Sequence, residues 1–544
     1  MIVTRFEAWY LTGLMMALWA LMPATMLWDW DEPLYARTAI EMFEAGNLML
    51  PKFNGEIFAH KPPFGYWAMG LGAQIFGETE FATRFFSAPA LALSAWLIGR
   101  SGTLLFGEEV GKTAMVIAST GLMGLYLGAA AMMDAYLLAG YTLAVWVILK
   151  VFVEGRVSFG LLALFALGCL ETMLVKGPVG PVLIGGMALG AFVFLPRGER
   201  PGWTVFFWLV AAGFIAFCGF LMWFLPANAA SGGALLSEGV GVHIIGRLLQ
   251  PMEGHGGQGL AGFLIFLPVY IPVIFLSMIP WSAYFPGAIR HVFTGMERRN
   301  RVLILAWFLP IFIVFSIVAT KLPHYIFPAT APLAVAISAW LDRRPKSRNL
   351  GGRSLTAGLY LLMAFGLLWM AITFQGVLCG PLVGLAAVGV MGLGGLVFYT
   401  ASDRVSILAL ALASLAVMQL FFWGGLREIE SLAKVSRLLG QVIQAEVPED
   451  AAVLMSGYKE PSLAFYASRP VGNPIRLVGQ AELVEVVKEI EAGFIVLTRD
   501  RRNNLETAMP ETRFEVLTDA AAWNFNKNGI RQSVFLLKWV GSSE

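Results

Sequence analysis

Two carboxylates, Asp31 and Glu32, stand directly after the first apolar run of the 544-residue chain, in the string WDWDEPLYARTAIEM, and a cation, Lys61, follows in the same loop just before Pro62 and Pro63. Proline fixes the backbone beside that cation. Further charges stand at the ends of apolar runs: Asp134 in AMMDAYLLAG, Lys176 in VKGPVGP, Arg247 in VHIIGRLLQ and Lys321 in TKLPHYIFP. A charge at membrane depth is costly, so it is normally paired or set at a cavity. Any one of these could be a snorkelling anchor. Four cations and two acidic sites on one face are harder to dismiss, because Lys and Arg neutralise phosphate while a carboxylate can accept a proton. A substrate with an apolar tail and a phosphate would fit such a surface. Asp31 and Glu32 before Pro33 also read as a helix start, with carboxylates at the positive end of the helix dipole, and capping alone would account for them.

Tyrosines and histidines share the same segments. Tyr35, Tyr66 and Tyr325 are interfacial aromatics in the simplest reading, although Tyr325, close after Lys321, could donate a hydrogen bond to phosphate. His60, His243, His255 and His324 could hold a divalent metal together with a nearby carboxylate, His60 and His255 being the candidates. No compact ligand spacing such as HExxH is present, and no Gly-rich loop points to a nucleotide cofactor. Cys169, Cys218 and Cys379 all fall in apolar stretches and read as packing residues. A formal net charge of only +2 argues against a nucleic-acid partner.

The elements that position these residues are membrane spans. With 58% hydrophobic and 14% charged residues, the chain is solvated mostly by lipid. Apolar runs predict about thirteen transmembrane helices, near residues 8–28, 81–100, 112–128, 131–150, 158–175, 178–196, 203–226, 260–280, 302–319, 324–341, 354–373, 377–399 and 405–423. Their lack of period-2 alternation selects helices over barrel strands, so the fold class is an all-α polytopic membrane protein. The first run follows Arg5 and shows no small-x-small cleavage site before Asp29, which predicts an uncleaved first helix.

Basic residues concentrate in alternate loops, from Arg100 and Lys112 through Arg298, Arg299 and Arg301 to the run at 342–353 and Arg404. By the positive-inside rule those loops are cytoplasmic, and the long segments 29–80, 227–259 and 424–544 lie outside. Within the first of these, Ala36, Ile40 and Phe43 oppose Arg37, Glu41 and Glu44, the pattern of a helix lying along the membrane surface. Asn54-Gly55 marks a tight turn. The last segment alternates amphipathic stretches (SLAKVSRLLGQVIQ, AELVEVVKEIEAG) with short apolar runs (AAVLMS, GFIVLT, SVFLLKWV), which predicts a small soluble α/β domain over 424–544 after a membrane domain over 1–423.

The strings DEPLYARTAIEM, FAHKPPFGYW, FATRFFSAPA, KGPVGP, PWSAYFPGAI and KLPHYIFPATAPLA resemble, in the same order, the motifs of the aminoarabinose (4-amino-4-deoxy-L-arabinose) lipid A transferase family. Those enzymes are membrane glycosyltransferases of the GT-C type, related more distantly to protein O-mannosyltransferases. The likeness runs over roughly residues 25–340. It implies an inverting transferase of the bacterial inner membrane that takes a sugar from an undecaprenyl-phosphate carrier and places it on an acceptor at the periplasmic face, with 4-amino-4-deoxy-L-arabinose and lipid A as the leading pair. Carried over by motif, Asp31 is the catalytic carboxylate and Asp134 a second acidic group at the cavity. Lys61, Arg247 and Tyr325 contact the carrier phosphate, Lys176 and Lys321 line the same region, and Glu32, Tyr35 and Tyr66 complete the candidate substrate contacts. Two positions depart from the family pattern: His60 stands where Glu commonly precedes Lys-Pro-Pro, and the spacing from His243 to Arg247 differs.

Two other functions compete. A protein O-glycosyltransferase would use the same donor with a peptide acceptor. A transporter for a lipid-linked substrate would typically show repeated halves and broken helices at the midplane, and no internal repeat is evident.

Overall fold

The computed structural model describes residues 3–252, 256–343, 404–427, 434–490, 492–524 and 530–540, with isolated positions between 354 and 392 and at Glu430. The predicted helices at 354–373 and 377–399, the basic run beyond Arg343 up to 353, and His255 lie outside the described residues. Within them the apolar runs fold as helices, the structure that satisfies backbone amides without water. Seven helices among the described residues are long and apolar enough to cross a membrane: Glu80–Phe106, Met133–Glu154, Phe159–Lys176, Trp203–Ala230, Gly259–Ser277, Arg298–Ile317 and Pro323–Arg343. Glu108–Thr120 and Leu122–Gly128 form a further candidate, bent by 67°. That bend departs from the straight span predicted over 112–128. Val179–Phe194 and Ile407–Trp423 are apolar and shorter, and Arg5–Leu21 opens the chain under a cap from the Thr4 hydroxyl.

Packing places the charged ends. Gly140 and Gly168 let helices Met133–Glu154 and Phe159–Lys176 cross at backbone contact; a Cβ on Gly168 would stand 2.6 Å from the Gly140 carbonyl oxygen. Small residues at such a crossing are the usual means of close approach in membranes. The crossing sets Asp134, in the first turn of one helix, beside Lys176, in the last turn of the other. Helix Trp203–Ala230 instead turns Phe207, Phe214, Ile215 and Met222 outward, as a lipid-facing span does. The segment predicted as a loop over 227–259 is largely helical, with a π-helical stretch Leu235–Gly246 leading into Arg247–Leu249. Its backbone pairs with the loop before Pro323: the Thr320 amide donates to the Arg247 carbonyl at 3.1 Å.

Outside the spans, helix Asp31–Glu44 is followed by a two-residue hairpin, β1 (Lys52–Phe53) and β2 (Glu56–Ile57), turning at Asn54-Gly55 with positive φ at both residues. The helix does not lie along lipid with its polar side in water. Both faces are buried: Arg37 donates to Glu41 at 3.0 Å and to the Arg469 carbonyl at 2.7 Å, and Glu41 accepts from the Asn54 amide at 2.8 Å. The polar face therefore docks protein, a role that amphipathic periodicity alone does not distinguish from membrane contact.

The predicted α/β region forms a five-stranded sheet of β3 (Val453–Ser456), β4 (Arg476–Leu477), β5 (Ala492–Thr498), β6 (Arg513–Asn524) and β7 (Ile530–Val540), in the order β4-β3-β5-β7-β6. β3 is parallel to β4 and β5, while β7 is antiparallel to β5 and β6. Alternate residues feed two cores: Val453, Met455, Phe494, Val496 and Leu536 on one face, Leu454, Ile495, Leu497 and Leu537 on the other. Helices cover both faces, which is why the central strands read as unbroken apolar runs.

Candidate active site

Asp31 and Glu32 open the same helix but have opposite environments. Glu32 is fully buried: its carboxylate accepts from Arg84 Nε at 2.9 Å and Nη2 at 2.7 Å, from the Ala131 amide at 2.7 Å and from the Trp28 amide at 2.8 Å. Burial pushes its pKa up, but the Arg84 charge and these hydrogen bonds outweigh that and hold it below the usual carboxylate range. Arg84 also donates to the Met22, Thr25 and Met26 carbonyls. Glu32 is therefore corrected from a candidate substrate contact to half of a buried ion pair. Asp31, the neighbouring residue, is only partly buried. Its charge acts on Lys61, Tyr35 and Tyr66. Tyr35 and Tyr66 meet edge to face at 6.1 Å, and the buried Tyr66 hydroxyl has no hydrogen-bond partner among the described residues.

From Asp31 the cluster extends through Lys61, on which the charges of Lys176, Arg247, Asp31 and Asp134 act. Burial first, and then the two neighbouring cations, push Lys61 down to about 8, against the pull of both carboxylates. Asp134 accepts from Lys176 at 2.6 Å and lies 4.0 Å from His324 Nε2. Lys176 stands 5.2 Å over the Tyr325 ring, and Arg247 donates to the Tyr325 hydroxyl at 2.9 Å. Asp134 thus holds Lys176 by a buried ion pair, the environment of a positioning group more than of a free base.

Lys61, Lys176, Arg247, Tyr325, His60 and His243 line one cavity of about 470 Å³. The rest of its wall is apolar, with Phe217, Phe220, Trp223 and Phe224 from one lipid-facing helix and Val314 and Val318 opposite. Such a cavity is cationic at one end and greasy along its length. It can hold a phosphate on a hydrocarbon chain.

Lys321 does not join this cluster. Its ammonium donates to the Phe315 carbonyl at 3.0 Å and to that of Ser316, capping the end of helix Arg298–Ile317, and it faces the Phe263 and Tyr270 rings. Burial there pushes it down to about 8. The expectation that it lines the phosphate region is corrected. A lysine near a helix C-terminus satisfies orphan carbonyls as readily as a ligand.

His60 stacks on His243 with ring centroids 3.7 Å apart and on Phe58 at 4.0 Å. Burial first, and then neighbouring charges that include Lys61 and Arg247, push His60 down to about 3 and His243 down to about 4. Among the described residues no three His, Cys, Asp or Glu side chains gather as metal ligands. His255, the other candidate ligand, lies outside the described residues, and no step below is routed through a metal.

Sequence reasoning passed over Arg84 and the aromatic wall. Arg84 carried a usable signal, a charge inside an apolar run. Phe217, Phe220, Trp223 and Phe224 read only as part of a span.

Residues 60–223, which include Lys61, Asp134 and Lys176, match the model of the dolichyl-phosphate-mannose-protein mannosyltransferase family. The chain is similar to an undecaprenyl phosphate-α-4-amino-4-deoxy-L-arabinose arabinosyl transferase of Edwardsiella ictaluri, 27% identical over 72% of this chain and 70% of that one. It is 29% identical to the second such transferase of Sodalis glossinidius, over 65% of this chain and 63% of the relative. In fold it is similar to the crystal structure of ArnT from Cupriavidus metallidurans bound to undecaprenyl phosphate, with a TM-score of 0.76 at 17% identity over 97% of both chains. The apo form of that protein gives a TM-score of 0.74 at 18% identity.

Proposed function

We propose that the chain is an aminoarabinose-transferase-like GT-C membrane glycosyltransferase, as its similarity to such enzymes supports, and that it moves a glycosyl group from a polyprenyl-phosphate carrier to an acceptor in the cell envelope. The observation that carries this reading is the cavity of about 470 Å³ with Lys61, Lys176, Arg247 and Tyr325 at its polar end and an aromatic wall along its length. The carrier phosphate sits among the cations and its hydrocarbon chain runs along Phe217, Phe220 and Trp223 toward lipid. By analogy with the relatives, the carrier is undecaprenyl phosphate, the sugar 4-amino-4-deoxy-L-arabinose and the acceptor a lipid A phosphate.

In this reading the bond between the anomeric carbon and the phosphate oxygen breaks, and its electron pair leaves with the phosphate. Lys61, Lys176 and Arg247 stabilise that developing charge. The acceptor oxygen attacks from the opposite face, so the configuration inverts. Asp31 takes the proton of a hydroxyl acceptor; with a phosphate acceptor, already ionised, it stabilises positive charge building on the sugar. Tyr35 and Tyr66 orient the sugar beside Asp31.

The chain crosses the inner membrane thirteen times in this account, residues 1–423 forming the transferase domain and 424–544 a periplasmic domain. The active site opens to the periplasm. Supporting this orientation are the basic loops on the opposite side, such as Arg298, Arg299 and Arg301.

Purified protein in nanodiscs, given labelled undecaprenyl-phosphate sugar with lipid A or with periplasmic protein, tests the proposal. Label in lipid A is the expected result. Label in protein would move the assignment to an O-glycosyltransferase, and label in neither would overturn it.

A further inference from the structure

Residues 26–29 run between the end of the first helix and Asp31 without secondary structure, so their backbone groups have no ladder to join. Glu32 and Arg84 supply some of their partners, and the others come from more than 400 positions further along the chain. The Met26 amide donates to Glu430 at 2.6 Å, the Leu27 amide to the Tyr466 hydroxyl at 2.9 Å, and Lys434 donates to the Leu27 carbonyl at 3.0 Å. Asp29 then accepts from Ser462 twice, from its amide at 2.8 Å and its hydroxyl at 2.7 Å, with Lys434 a further 3.7 Å away. Beyond Asp31 the grip continues, with Phe465 packed in one buried cluster with Leu27, Ala36 and Ile40.

We propose that the C-terminal α/β domain is a brace for the Asp31 carboxylate, and that Asp29 is the positioning residue through which it acts. The reasoning is one of place. A domain retained only for stability could dock anywhere on the surface, whereas this one, besides its bonds to Glu78 and Glu80, places hydrogen bonds on the residues that lead into the reacting carboxylate and on the helix that follows. Ser462, Tyr466 and the Asp29 carboxylate fix where the helix begins. Misplacement of a reacting group by about 1 Å can cost on the order of 100-fold in rate, so the brace acts on turnover. The inference rests on the reading of Asp31 as the reacting carboxylate.

The test uses the full-length protein in nanodiscs with labelled undecaprenyl-phosphate sugar and lipid A. The Ser462→Ala, Tyr466→Phe double variant removes the hydroxyl that donates to Asp29 and the one that accepts from the Leu27 amide, without opening a large cavity. It is expected to lose kcat by about tenfold or more while KM for the donor changes by less than roughly twofold. Melting temperature and binding of undecaprenyl phosphate should stay near those of the native protein. Ser462→Thr, which keeps the hydroxyl, should retain most of the turnover. Unchanged kcat in the double variant, or a loss of kcat that tracks loss of melting temperature and carrier binding, would overturn the brace. Failure of the native protein to transfer sugar, or native turnover by Asp31→Asn, would instead overturn the reading beneath it.

Discussion

Lys61 is placed among two cations and two carboxylates at the polar end of the cavity, and its ammonium is pushed down to about 8. The sign of the consequence is fixed. Below that pH the side chain is charged and pairs with the donor phosphate; above it the charge is lost. For the free protein, kcat/KM should fall as pH rises through about 8, and Lys61→Arg, which stays charged, should remove that limb. An identical limb in Lys61→Arg would assign the titration elsewhere. Lys176 supplies a second check. Removing its partner with Asp134→Ala leaves a buried cation and should cost about 3–5 kcal/mol of stability, read in thermal unfolding. Lys61, Lys176 and Arg247 were legible in the sequence because a charge at the edge of a span demands a reason, and Tyr325 because its hydroxyl falls close after such a charge. Lys321 and Glu32 carried the same signal but serve structure, one on backbone carbonyls and the other on Arg84. Sequence shows that a charge needs a partner and is silent on which partner it finds.

Elements set these residues in register. Helix Asp31–Glu44 is pinned at its start by the Glu32–Arg84 pair, which joins the outer helix to the first residues of span Glu80–Phe106. Arg84→Met leaves Glu32 buried and unpaired, and a loss of about 3–5 kcal/mol is expected in thermal unfolding. Glu32 is held below its ordinary range, so the stability it supplies is present above the unfolded carboxylate value and disappears as pH falls. Acid unfolding of Glu32→Gln should accordingly show a weaker pH dependence than that of the native protein; an unchanged dependence would show that the pair does not contribute. Gly168→Leu should push apart helices Met133–Glu154 and Phe159–Lys176 and separate Asp134 from Lys176, lowering donor affinity along with stability. Donor affinity at the native level would show that the crossing does not set the site. Hydropathy was enough to find these spans, since lipid leaves backbone no alternative to a helix. It could not foresee the 67° bend after Thr120 or the helical form of 235–249, because neither alters composition.

At the scale of the whole molecule, a helical domain with apolar spans carries the cavity and a small α/β domain grips the entry to the Asp31 helix. The strands of the α/β domain were readable because both faces of β3, β5 and β7 are buried, one in each of two cores, which makes each strand a short unbroken apolar run. Their docking was not, since hydrogen bonds such as Ser462 to Asp29 join residues whose local sequence gives no sign of the other. The same limit explains why helix Asp31–Glu44 read as lying on the membrane: a buried polar face and a wet one share a pattern. The account stands on a division of labour between a cationic cavity that holds the carrier and a carboxylate that serves the transfer. It is tested most directly by Asp31→Asn protein in nanodiscs, measured for undecaprenyl-phosphate binding and for sugar transfer to lipid A. Binding should stay close to native while transfer falls by about 10²–10⁴-fold. Transfer at the native rate, or loss of carrier binding together with transfer, would contradict it.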